Sequence, residues 1–172
     1  MISSTSSKKK FRHQEPAKAE HLDDTFKDRL QRHKEARNAS ARIFLSNDAQ
    51  YNEEKKKLFV HFVKYVMRAL SLRENYKIYI VTNRHEYGIK TTAGFLDRHN
   101  TMLIYCKGRA FVDVLRSIAH EFVHGKQHEF GLKFGHNFLH FDNELENEAN
   151  ELAGDLLNAY TEVMGHDKIY EN

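Results

Sequence analysis

The pentapeptide His120-Glu121-Phe122-Val123-His124 constrains this chain more than any other stretch. It sits inside a helical apolar pattern, and residues four apart on a helix share one face about a turn apart. Two imidazoles can therefore point at one ion. Glu121 projects beside that pair, placed to act as a base without being a ligand itself. Two histidines and an adjacent carboxylate at this spacing are the parts of a zinc hydrolase site.

The surrounding pattern says which elements carry the pentapeptide. From about Ala110 to Phe130 the apolar residues Phe111, Val114, Leu115, Ile118, Phe122 and Val123 recur at helical spacing, with Gly131 as a stop. Upstream, Phe59, Phe62, Val63, Val66, Met67 and Leu70 predict an amphipathic helix over about 50–72. Its start is read at the capping cluster Ser46-Asn47-Asp48. Between the helices the period changes. Tyr76–Thr82, Tyr87–Leu96 and Thr101–Cys106 read as strands, the last two joined by an Asp97–Asn100 turn. Three short strands so connected predict a small, mostly antiparallel sheet. A connection over Leu132–Phe141 then leads to a last helix from about Asp142 to Met164, ended by Gly165. The expected fold class is α+β.

Charge divides the chain. Residues 1–45 hold 11 Lys and Arg against 6 Asp and Glu, while from Asp142 onward nine acids face the single cation Lys168. The expected division is an N-terminal arm over 1–45 and a body over 46–172. Met1–Glu20 has little to bury and reads as disordered. Residues 22–45 are helix-prone, with a thin stripe of Leu22, Phe26 and Leu30. Such an arm offers a contact for nucleic acid or an acidic partner. The lone Cys106 excludes an intramolecular disulfide and a multi-cysteine zinc site. No apolar run is long enough to span a bilayer, and Met1–Lys10 lacks an apolar signal segment. The expectation is a cytoplasmic protein with no membrane partner.

Catalytic zinc needs a third protein ligand and a fourth position for water. A histidine six residues after His124 would serve, but that position is Phe130. The next acids are the run Glu144, Glu146, Glu148 and Glu151, and helical spacing alone leaves the choice among them open. An H-E-x-x-H followed some twenty residues later by E-x-E-A-N resembles the glutamate zincins. The likeness is to the small ImmA/IrrE-like peptidases and to zincin-like metallopeptidases often encoded by phages. It covers about Phe111–Tyr160. The resemblance implies a zinc-dependent endopeptidase acting on a protein or peptide substrate, in the cytoplasm of a host cell where the chain is phage-encoded. It makes His120, His124 and Glu146 the metal ligands, with Glu148 as the alternate, and Glu121 the base that activates a zinc-bound water. Asn150 would then orient a ligand histidine, His120 first. Ala149, Ala153 and Gly154 would let the last helix approach closely.

Three further expectations stand beside that reading. His128 continues the histidine stripe as a rim residue. His136, His140 or Tyr160 is a candidate to stabilise an oxyanion. In zincins the sheet edge pairs with extended substrate, which here assigns Thr91–Leu96 or Thr101–Cys106. Two alternatives remain open. One is a SprT-like, DNA-associated protease with His136 as third ligand. The other is a non-catalytic zinc-binding or interaction module.

Overall fold

The computed structural model describes residues 39–131 and 143–170. The order of elements is β1 (Ala41–Leu45), α1 (Glu53–Ala69), β2 (Tyr76–Val81), β3 (Ala93–Leu96), β4 (Thr101–Tyr105), α2 (Phe111–Glu129), α3 (Asn143–Met164) and α4 (His166–Tyr170). The fold class is α+β, as expected. The strands lie in the order β1-β2-β4-β3.

The sheet is mixed rather than mostly antiparallel. β1 pairs parallel to β2, and β2 parallel to β4, while only β3 runs against β4. The reason is the strand that local reading placed in a helix-prone segment. Ala41-Arg42-Ile43-Phe44-Leu45 carries an alternating pattern too short to be told from a helix turn. Pairing with β2 decides it, and the long helix α1 supplies the crossover that a parallel pair requires. The body therefore takes in Ala41–Leu45, which moves its start ahead of residue 46. The cap of α1 also shifts: Asn52 accepts from the Lys55 N–H, and Asp48 instead accepts from the hydroxyls of Ser46 and Thr82.

One face of the sheet is buried. Ile78, Ile80, Met102 and Ile104 meet Phe59, Phe62 and Val66 of α1 and Val114, Leu115, Ile118 and Phe122 of α2 in a single core. Each of these side chains is fully enclosed, so their burial supplies the main force that docks the helices. Arg109 fixes where α2 begins. Its guanidinium donates to the Tyr105 and Asp113 carbonyls and to the Ser117 hydroxyl, tying the end of β4 to the first turns of the helix.

The other side of α2 receives α3. Ala149 and Ala153 are fully buried in that region. Gly154 is not a point of close approach, because a Cβ built there meets nothing within 4 Å. The tight glycine is Gly125 on α2, where a Cβ would stand 2.8 Å from Tyr76 Cε1. Among the described residues no helix is long and apolar enough to cross a membrane.

Candidate metal centre

Helix α2 turns its apolar stripe to the sheet and presents His120, His124 and Gln127 along the neighbouring face, at i, i+4 and i+7. α3 brings Glu146 to the same place from its first turns. The Nε2 atoms of His120 and His124 are 3.0 Å apart. His124 Nε2 lies 3.2 Å from Glu146 Oε1, and His120 Nε2 lies 3.4 Å from Oε2. Donors held about 2.0–2.1 Å from one tetrahedral ion stand roughly 3.3 Å from one another. The three separations match that edge length, so two imidazoles and a carboxylate are already spaced for one small divalent cation. Among the described residues these three form the group able to hold a metal.

Gln127 sets the tautomer of His124. Its Nε2 donates to the Leu145 carbonyl at 3.0 Å and to Glu148 Oε2 at 2.8 Å. Two acceptors on that side of the amide turn Oε1 toward His124, where it lies 2.8 Å from Nδ1. An amide oxygen only accepts, so His124 keeps its proton on Nδ1 and offers the Nε2 lone pair to the group. Glu148 is thereby occupied with Gln127, while Glu146 faces the histidines.

The Asn150 side chain hydrogen-bonds His120 and favours its protonated ring. Burial and the neighbouring His124 oppose this and hold the His120 pKa below its ordinary value. Glu121 is enclosed, with 4% of its surface exposed. Desolvation, and then the charge of Glu146, push its carboxyl up to about 8. A buried carboxyl poised near neutrality beside three metal-type donors is an arrangement suited to taking up and returning a proton.

Other expected positions fall elsewhere. His128 is exposed, and its ring meets the edge of Phe95 at 6.0 Å between centroids. Tyr160 is removed from the site, a correction to its candidacy for the oxyanion. It lies fourteen residues beyond Glu146, roughly 21 Å along α3. Its hydroxyl instead meets His61 Nδ1 at 3.0 Å in the seam between α1 and α3. Thr101–Tyr105 is an interior strand with both edges paired, so of the two candidate substrate edges only β3 lies at an edge of the described sheet. His136 and His140, with the rest of the Leu132–Phe141 connection, lie outside the described residues. Gln127 was not singled out from sequence, although its place three residues after His124 was a sufficient signal.

Comparison with protein-family models, with curated proteins and with solved structures finds no match.

Proposed function

We propose that this chain is a zinc-dependent endopeptidase. The observation that carries the reading is the convergence of His120 Nε2, His124 Nε2 and the Glu146 carboxylate at 3.0–3.4 Å, with buried Glu121 next in sequence to the first of them. Neutral imidazole and carboxylate donors suit zinc, and three of them leave one coordination position for water. When bound, zinc acidifies such a water and polarises a carbonyl oxygen.

The chain's own groups supply the remainder. His120 and His124 bind through Nε2, with Asn150 and Gln127 holding their rings. The Glu121 carboxylate accepts a proton from the attacking water and returns it to the leaving amide nitrogen. Its burial excludes bulk water that would otherwise compete for that proton. The outer edge of β3 offers main-chain groups to an extended peptide, which orients the scissile bond by strand addition.

A closed, non-catalytic zinc site fits less well. It has no use for a buried acid beside the ligands. The test is Glu121→Gln, assayed for bound zinc and for cleavage of a peptide library. The expected result is full zinc content with cleavage reduced at least a hundredfold. Undiminished cleavage would remove Glu121 from the mechanism, and loss of zinc in the variant would make it structural.

A further inference from the structure

The second face of the sheet differs in kind from the one that α1 and α2 cover. Residues of alternating strand positions point there, and β1 and β2 contribute Arg42, Phe44, Lys77 and Tyr79. Arg42 pairs in register with Lys77, and Phe44 with Tyr79. The two aromatic rings stack at 4.7 Å and an angle of 13°, and Phe44 leaves 42% of its surface open at the sheet edge. Arg42 and Lys77 are both exposed one strand step away. No acid occupies an outward position on any of the four described strands.

This face leads to an open, solvent-facing cavity. The parallel strands β1, β2 and β4 end on one side of the sheet. There Asp48, Asn83, Arg84, His85, Tyr105 and Lys107 line a space of about 490 Å³. The Arg84 guanidinium lies over the Tyr105 ring at 4.4 Å. Asp48 accepts from Ser46 and Thr82, which keeps its carboxylate in place at the cavity wall.

We propose that this face, from Phe44 across Tyr79 to the cavity beside Tyr105, binds single-stranded nucleic acid. Unpaired bases extend the Phe44–Tyr79 stack, since every base has a π-face that a ring of this kind can cover. Phosphates meet Arg42, Lys77, Arg84 and Lys107. The cavity has room for one base, with Asn83 and Asp48 as partners for its edge. A protein partner suits the β1–β2 half of the face less well, because the centres of protein interfaces are depleted of charge and Arg42 and Lys77 flank the Phe44–Tyr79 stack. Beyond it Leu103 and Leu96 continue the face. The site is independent of the metal centre and of any peptidase activity.

The test uses the full chain and fluorescence anisotropy with labelled twenty-nucleotide dT and U strands, beside a duplex of equal length. Expected are binding to one or both single strands, weaker binding to the duplex, and affinity that falls as salt rises. Phe44→Ala and Arg84→Gln should each weaken binding about tenfold, and Phe44→Trp should preserve it. Thermal melting reports folding. If Phe44→Ala melts early, the Phe44→Trp and Phe44→Leu pair decides, since only the aromatic substitute retains binding. No binding, equal binding of duplex, or unchanged affinity in these variants would overturn the proposal. So would binding that survives them yet is lost in the triple variant Lys8→Gln, Lys9→Gln, Lys10→Gln.

Discussion

Glu121 and Gln127 extend the candidate site beyond the two histidines and the Glu146 carboxylate. The Glu121 carboxyl titrates near 8 in the folded, metal-free chain against 4.5 in a solvated one. Between those values the folded state holds a proton that the unfolded chain has released. Its contribution to stability is therefore complete below 4.5 and is lost as pH rises through about 8. His120 works in the opposite sense. Its lowered pKa gives stability that is complete above 6.5 and lost as pH falls through its folded value. From about pH 6.5 to about 8.5 Glu121 dominates, and the metal-free protein should lose on the order of 2 kcal/mol. Denaturant unfolding at the two pH values measures it, and Glu121→Gln should flatten the slope. Equal slopes in both proteins would show that the carboxyl is ionised throughout. Gln127 is tested by replacement with Leu, which keeps bulk and removes both ends of the bridge between His124 and α3. Metal affinity should fall 10- to 100-fold by titration against a competing chelator. Glu148→Gln should cost less, because a glutamine there still offers an amide oxygen to the Gln127 N–H and only the charge is lost.

At the level of elements, the contact between α2 and its neighbours turns on which glycine is crowded. Tyr76 is held on both sides, its hydroxyl donating to Glu129 at 2.8 Å and its ring packed edge-on against Phe122. It cannot retreat from a methyl group at residue 125, so Gly125→Ala should cost about 1–3 kcal/mol. Gly154→Ala should stabilise by about 0.5–1 kcal/mol, since its Cβ enters open space and alanine is the better helix former. Denaturation midpoints measured side by side decide it, and a loss at both positions would refute the assignment. Sequence made much of this level legible. Long periodic runs such as Phe111–Val123 and the stops at Gly131 and Gly165, both at positive φ, placed α2 and the end of α3 correctly. Asn100 likewise takes the left-handed conformation expected of its turn. What stayed hidden was decided by partners distant in the chain. β1 exists because β2 pairs with it, and Asp48 is held by the Thr82 hydroxyl, thirty-four residues on, rather than capping α1. The approach of Gly125 to Tyr76 joins residues about fifty positions apart, which no local pattern reports.

For the molecule as a whole, the candidate centre joins two helices at a point where the core does not. Glu146 belongs to α3 and both imidazoles to α2, so an ion shared among them is bound only while the helices are docked. A ligand that binds the folded state alone stabilises by mass action, about 2.7 kcal/mol at a hundred times its Kd. For a chain of this length that corresponds to a rise in Tm of roughly 5–10 °C. Scanning calorimetry with zinc and with a chelator should show this rise in the wild type and in Glu121→Gln, since residue 121 lies outside the group of three donors. It should disappear in Glu146→Gln, because an amide is a poor substitute for the carboxylate that closes the group. Magnesium should produce little shift, since it takes oxygen ligands and octahedral geometry rather than two imidazoles. A Tm that ignores zinc in the wild type would mean that the convergence of His120, His124 and Glu146 is an ordinary ion-paired contact between helices. A zinc shift that persists in Glu146→Gln would instead move the third ligand to another carboxylate or to the connection between α2 and α3.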